Sequence, residues 1–217
     1  MKLHTCLLAA VLLAAPVMSA LAATPAAPAA AAKPAAPAKP DLVQGEARFT
    51  AVCASCHGAD GNSGTPANPK LAQQHPEYLV KQLQEYKSGK RANAIMQGMA
   101  ATLGDADMKN IAAWLATQKA KPGFAKDKEL VALGERIWRG GIADRQVAAC
   151  AGCHSPNGAG IPSQYPRLSG QHADYTTAQL TAFRDGVRKN NLQMTQVAAK
   201  LNDREIRAVS DYVAGLR

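Results

Sequence analysis

The chain has 217 residues, of which 47% are hydrophobic and only 5% aromatic, and its formal net charge is +9. The basic residues form no long run and aromatic residues are few, so nucleic-acid binding is not favoured. A diffuse positive surface suits an anionic membrane or an acidic protein partner better.

The first 22 residues have the pattern of a cleaved export signal. Lys2 precedes an apolar run from 7 to 17, and residues 20–22, Ala-Leu-Ala, fit the small-x-small cleavage pattern. The alternative is an uncleaved membrane anchor, but the uncharged stretch 6–23 is at the lower limit for spanning a bilayer. We therefore predict a signal peptide over 1–22 and a periplasmic location.

The next segment, 23–40, is rich in alanine and proline and contains no large apolar side chain. It cannot contribute to a core, and its prolines favour the polyproline II conformation. We predict either a disordered tail or a spacer that holds the folded part away from a surface.

Beyond residue 40 the pattern is helical. The spacing of apolar residues predicts a first helix over 42–52, a second that begins at Pro76, and a third over 105–118. Residues 202–216 repeat the third helix. Strands with alternating polarity are not evident. The predicted fold class is all-α, with three helices in each of two copies.

The folded part is a duplication. Many positions of the first copy recur 97 residues later, and one inserted residue then changes the spacing to 98. A charged segment with Pro and Gly at 119–129 separates the copies. We predict two domains, at 41–121 and 122–217, with net charges of +2 and +4. The residues of the first copy that recur at 97 are Cys53, Cys56, His57, Pro69, Leu71, Gln74, His75, Tyr78, Gln82, Leu83 and Gly89.

A Cys-x-x-Cys-His motif occurs once in each copy. On a helical turn, positions i, i+3 and i+4 share one face, so two thiols and an imidazole can meet one flat ring. Each copy is also too small and too poor in aromatic residues to build a large core alone. Covalent attachment of a c-type haem explains both features, since the thiols add to its vinyl groups and the imidazole binds iron. The residues are Cys53, Cys56 and His57, and Cys150, Cys153 and His154.

Three alternatives explain less. Two disulfides within the Cys-x-x-Cys rings would account for the cysteines but not for the histidines. A thioredoxin-like redox pair requires a βαβ pattern, and a zinc site lacks a fourth ligand at short spacing.

The second axial ligand of each iron has two candidate types. The pairs that recur in register are Met96 with Met194, and His75 with His172. Met99 and Met108 have no methionine counterparts and are interpreted as packing residues. The residues themselves leave the choice between methionine and histidine open.

With these motifs identified, residues 41–217 resemble dihaem cytochrome c4, a family with two class I cytochrome c domains in tandem. The resemblance lies in "VCASCHGADGNS" and "IMQGMAATLGDAD" in the first copy, and in "ACAGCHSPNGAG" and "MTQVAAKLNDRE" in the second. It implies two haems, one wrapped in each domain.

The resemblance also implies residue roles. Met96 and Met194 match the axial methionines, and Pro69 and Pro166 match the prolines whose carbonyl oxygens orient the iron-binding imidazoles. It further implies that the first and last helices of each domain cross closely. The residues at these crossings are Gly45 and Phe49 against Trp114, and Gly134 and Trp138 against Tyr212.

The implied function is that of a periplasmic electron carrier rather than an enzyme. The resemblance implies transfer from a quinol-oxidising complex to a terminal oxidase, near the inner membrane, with no small-molecule substrate. One alternative is a dihaem redox enzyme such as a peroxidase or thiosulfate dehydrogenase. Another is an electron-transfer subunit of a larger oxidoreductase, anchored by 1–22 and tethered by 24–40.

Overall fold

The structure, a computed structural model, describes residues 39–217. The predicted signal peptide and all but the last two residues of the predicted 23–40 segment lie outside the described residues. Within 39–217 the chain forms helices and loops, with two isolated bridges and no β-strand. None of the helices in this part of the chain is long and apolar enough to span a membrane.

Each half contains five α-helices. In the first half these are α1 Leu42–Val52, α2 Ala54–His57, α3 Pro76–Lys87, α4 Ala94–Ala101 and α5 Asp105–Thr117. In the second half they are α6 Lys128–Gly140, α7 Ala151–His154, α8 Ala173–Arg184, α9 Leu192–Ala198 and α10 Asp203–Gly215, with a 3₁₀ turn at Ala143–Arg145.

The prediction of an all-α fold is confirmed, whereas the prediction of only three helices per copy is wrong. The three predicted helices of each copy appear as α1, α3 and α5 and as α6, α8 and α10, and the third ends one residue early, at Thr117. The helices missed by periodicity have four to eight residues, which is too short for an apolar stripe to repeat.

The first and last helices of each half cross at a glycine, as expected. A Cβ atom on Gly45 would lie 2.2 Å from the carbonyl oxygen of Asn110, and one on Gly134 would lie 2.2 Å from that of Ala208. Next to these contacts the Phe49 and Trp114 rings lie 4.9 Å apart, and those of Trp138 and Tyr212 lie 6.3 Å apart. Glycine allows the close approach that brings the aromatic rings together.

Each half has its own hydrophobic core. The core of the first half is built on α1, α3 and α5, around Phe49, Met108 and Ile111. The core of the second is built on α6, α8 and α10, around Trp138 and Val213. Met108 is fully buried, so its interpretation as a packing residue is confirmed.

The segment between the halves, 118–127, contains no helix and is fixed to both. The Nζ atom of Lys70 donates to the carbonyl oxygen of Lys121 at 3.1 Å. The carboxylate of Asp211 accepts from the backbone N–H groups of Lys126 and Asp127. Of the predicted linker at 119–129, the first nine residues lie in this segment and the last two begin α6.

Candidate haem sites and the interface between the halves

The two Cys-x-x-Cys-His motifs form the one-turn helices α2 and α7. In each motif the first cysteine is half-buried, the second is exposed, and the histidine is buried with 6% of its surface accessible. The four cysteines form no disulfide. Burial raises the pKa of the Cys53 and Cys150 thiols to about 11, so these sulfur atoms are uncharged.

The two motif histidines make the same hydrogen bond. Nδ1 of His57 lies 2.9 Å from the carbonyl oxygen of Pro69, and Nδ1 of His154 lies 3.1 Å from that of Pro166. A carbonyl only accepts, so Nδ1 carries the proton and Nε2 keeps its lone pair. Burial lowers the pKa of both imidazoles, more than the proline carbonyl raises it, so both rings are neutral. A neutral imidazole with a free Nε2 can bind iron.

The candidate axial methionines lie on matching short helices. Met96 is on α4 and Met194 on α9, and each backbone N–H is bound by the side chain of an asparagine three residues earlier, at 2.9 Å and 2.8 Å. Both methionines are half-buried. In the second half, Met194 lines the same cavity as Cys150, Cys153 and His154.

The candidate axial histidines are engaged elsewhere. Nε2 of His75 lies 3.0 Å from the carbonyl oxygen of Ala159, and Nε2 of His172 lies 2.8 Å from that of Ser63. Each contact joins one half to the other. Nε2 of each ring, the nitrogen that is free in His57 and His154, is therefore used in the interface.

The cavity of the second half fits a haem. Its donor set is a neutral imidazole and a thioether, next to two thiols, and its walls include the apolar side chains Leu168, Leu180, Leu201, Val209 and Val213. Within 39–217 no three side chains of the kinds that bind zinc converge on one point. The geometry thus supports an iron porphyrin rather than a zinc ion.

Two glutamines join the halves in a reciprocal manner. The side-chain amide of Gln74 donates to the carbonyl oxygen of Arg167 at 2.8 Å and accepts from its N–H at 2.9 Å. Gln171 makes the same two bonds to Lys70, both at 2.9 Å. Lys70 and Arg167 directly follow the prolines that bind the motif histidines, so the interface holds both proline loops.

Two buried arginines lie at the centre of the interface. Arg91 and Arg188 expose only 4% and 8% of their surface. Neither pairs with a carboxylate of residues 39–217, and Arg188 lines the haem cavity. Their guanidinium groups donate across and within the halves at 2.7 to 3.3 Å. Gln82 and Gln179 accept from both arginines, whereas Tyr175 accepts from Arg91 alone and Tyr78 from Arg188 alone.

Buried cations with only neutral partners are costly, which indicates that an anion belongs beside them. The sequence analysis assigned no role to these arginines. The signal was present, because Arg91 and Arg188 recur at the spacing of 97 like the residues that bind them.

Two helical units that each carry a Cys-x-x-Cys-His turn with a buried histidine, the second of them beside an apolar cavity, define a c-type cytochrome with two haems. A sequence profile described as cytochrome c matches residues 42–119 and again 143–217.

The chain is 48% identical to cytochrome c4 of Pseudomonas aeruginosa over 180 residues. The alignment covers 81% of this chain and 89% of the relative. The crystal structure of reduced recombinant cytochrome c4 from Pseudomonas stutzeri superimposes with a TM-score of 0.78 at 44% identity, over 82% of this chain and 100% of the other. The chain therefore belongs to the cytochrome c4 family.

A third relative has a different name. It is the thiosulfate dehydrogenase electron acceptor of Stutzerimonas stutzeri, 40% identical over 80% of this chain and 83% of its own length. Membership of the cytochrome c4 family makes this chain an electron-transfer protein rather than an enzyme, with two covalent c-type haems at its two Cys-x-x-Cys-His sites.

Proposed function

We propose that this protein carries electrons in the periplasm from a quinol-oxidising complex to a terminal oxidase, through two haems that each have one histidine and one methionine ligand. The proposal rests on one observation, which is that the four candidate histidines differ in the ring nitrogen that makes a hydrogen bond. His57 and His154 keep a free Nε2, whereas His75 and His172 use theirs in the interface. The methionines then remain as the second ligands.

The proposed ligands are His57 and Met96 for the first iron, and His154 and Met194 for the second. The carbonyl oxygens of Pro69 and Pro166 accept from Nδ1 and thereby hold each imidazole in one orientation. The four cysteines named above hold the haems as thioethers.

We assign Arg91 and Arg188 to the haem propionates, because carboxylates would supply the negative charge that their pocket lacks. When bound, each haem supplies a one-electron Fe(III)/Fe(II) couple. The protein's own part is to bind it, orient its histidine and exclude water from it.

Electron transfer needs no open coordination position. Iron with six ligands has no site for a substrate, and methionine ligation raises the reduction potential relative to two histidines. Both properties suit a carrier that delivers electrons to an oxidase.

The partners are proposed from charge and from relatives. Both predicted domains, 41–121 and 122–217, are positively charged, which suits acidic docking surfaces on partner proteins and peripheral contact with an anionic membrane. A second candidate source of electrons is a thiosulfate dehydrogenase, since the 40% identical relative from Stutzerimonas stutzeri is an acceptor for that enzyme. Stopped-flow reduction of the oxidised protein by each purified enzyme would separate the two sources.

The location is proposed from the predicted signal. Sequencing the N-terminus of the mature protein from periplasmic extract should begin after residue 22. An intact Met1 in the membrane fraction would instead support an anchored subunit, with 23–40 as the tether.

The ligation is tested by optical and magnetic circular dichroism spectra of the oxidised protein, with haem quantified per chain. Two haems that each contribute the weak far-red band of methionine-bound ferric iron are expected. One high-spin or bis-histidine haem would overturn half of the assignment.

Substitution then assigns each band to a haem. We expect Met96→Ala and Met194→Ala each to remove one far-red band. Met99→Ala is the matched control, because Met99 lies on the same helix as Met96 and exposes 45% of its surface, and it should keep both bands. Loss of a band in Met99→Ala would move the ligand to that position.

A further inference from the structure

The two copies differ in sequence next to the motif histidines, His57 and His154. The loops from motif histidine to proline, 57–69 and 154–166, have the same length, so they can be compared position by position. The residue before the proline is Asn68 in the first loop and Tyr165 in the second.

In the second half, aromatic rings cover the histidine. The ring of Tyr165 lies 5.9 Å from that of His154, edge to face at 66°, and the ring of Trp138 lies 6.3 Å away at 37°. Tyr165 also lines the haem cavity. The rings of Tyr165 and Trp138 therefore form an apolar wall on the side of the cavity where His154 lies.

The loop holds Tyr165 in this place. Its backbone N–H and carbonyl oxygen both bond to Ile161, at 2.8 Å and 3.0 Å. Gly160 passes so close that a Cβ atom on it would lie 2.5 Å from the carbonyl oxygen of Tyr165. The position of the tyrosine is thus determined by the backbone of its own loop.

In the first half, the corresponding loop makes polar contacts with the haem motif. The side chains of Asn68 and Ser63 both donate to the carbonyl oxygen of Cys56 at 3.1 Å. Within the described residues no aromatic ring packs on His57, and Phe49, at the position of Trp138, packs on Trp114 instead. The two imidazoles are equally buried, so the halves differ in the polarity of the cover and not in its extent.

We propose that Tyr165 is a positioning residue that acts through His154 and raises the reduction potential of the second haem relative to the first. Oxidation adds one positive charge to the haem and its ligands. Dipoles such as an amide stabilise that charge, whereas an aromatic wall does not and therefore favours the reduced state. The proposal rests on the ligation proposed above, with His57 and His154 bound to iron.

The test exchanges the two residues in the complete dihaem protein. We expect Tyr165→Asn to lower the midpoint potential of the second haem and leave the first unchanged. Asn68→Tyr should raise the midpoint of the first haem alone. Tyr165→Phe keeps the ring and should leave both midpoints near those of the wild type. The two midpoints are resolved by redox titration followed through the haem methyl signals in NMR spectra.

The outcomes separate this proposal from the ligation. If both far-red bands persist and Tyr165→Asn shifts neither midpoint, shifts both equally or shifts the second upward, the role of Tyr165 is overturned. A far-red band missing from the wild-type protein would overturn the ligation, and the role of Tyr165 with it. If Tyr165→Asn fails to fold, Asn68→Tyr decides, because an unchanged first midpoint contradicts the proposal.

Discussion

The interface between the halves is symmetrical at its centre and unsymmetrical at one end. At the centre, Gln74 and Gln171 make the same pair of bonds in opposite directions. At the end, Glu85 of the first half is buried, with 7% of its surface exposed, and is paired with Lys81 at 2.7 Å and Lys90 at 3.3 Å. The positions that correspond to these three charges in the second half are Ala178, Ala182 and Val187.

Asn190, which lies where the second copy has one more residue than the first, completes the unsymmetrical end. The side chain of Asn190 donates to the carboxylate of Glu85 at 2.6 Å and to Gln82 at 3.0 Å across the interface. The spacing of the duplication changes from 97 to 98 at this point. The residues that join the halves at the centre are therefore the same in both copies, and the copies differ where Glu85 of the first meets Asn190 of the second.

The largest effect is expected where a helix crossing is blocked in one half only. In Gly134→Ala the new Cβ atom would clash with the backbone of Ala208, which cannot move aside as a flexible side chain would. We expect a loss of about 3 kcal/mol or more in the free energy of unfolding. The measurement is urea unfolding followed by the absorbance of each haem.

Gly140→Ala on the same helix is the control, because a Cβ atom there meets nothing within 4 Å. It should leave the stability unchanged or raise it by up to about 1 kcal/mol. Equal free energies of unfolding for Gly134→Ala and Gly140→Ala would contradict the close crossing of α6 and α10.

A smaller and symmetrical effect is expected at the centre. Gln74→Ala and Gln171→Ala each leave a backbone N–H and a carbonyl group without a partner, at a cost of about 1–3 kcal/mol. Because the bonds are equivalent, the two losses should agree to within about 0.5 kcal/mol. The free energy of unfolding in urea checks both values.

Gln74→Glu refines this test, since a carboxylate can still accept from the N–H of Arg167 but would face its carbonyl oxygen as a buried charge. Its loss should be at least as large as that of Gln74→Ala. A large difference between Gln74→Ala and Gln171→Ala would show that the centre is not symmetrical.

The smallest effect is expected at the unsymmetrical end, and it should depend on pH. Burial raises the pKa of Glu85, but bonds from Lys81 and Asn190 lower it further, so the net pKa is below its usual value. A carboxyl whose pKa is lower in the folded state stabilises the fold above its unfolded pKa of about 4.5, and that contribution is lost as the pH falls below it. Stability should therefore fall below about pH 4.5.

Glu85→Gln should weaken this acid dependence and cost about 1 kcal/mol at neutral pH. Glu77→Gln is the control, since Glu77 is exposed on the same helix and makes no bond to the second half. Thermal unfolding between pH 3 and pH 7 is the measurement. An unchanged pH dependence in Glu85→Gln would remove the role assigned to this carboxylate.

Much of the fold and site was predictable because it is encoded over short distances in the chain. A helix with several turns repeats its apolar face, so α1, α3, α5 and α10 appear in the sequence, and the duplication predicts α6 and α8 as the counterparts of α1 and α3. The Cys-x-x-Cys-His spacing likewise indicates a haem, since three residues on one turn share a face. The one-turn and two-turn helices repeat nothing and were missed.

The duplication, the long helices, the two haem motifs and the pairs of candidate ligands can all be read from the amino-acid sequence. The packing of the two halves was needed to show that His75 and His172 bond across the interface and that Gln74 binds Arg167. It also showed that Arg91 and Arg188 share two glutamine acceptors. The physical reason is distance along the chain. Recurrence at 97 shows that two residues are equivalent, but which groups meet across about a hundred residues depends on how the two packed halves fit together.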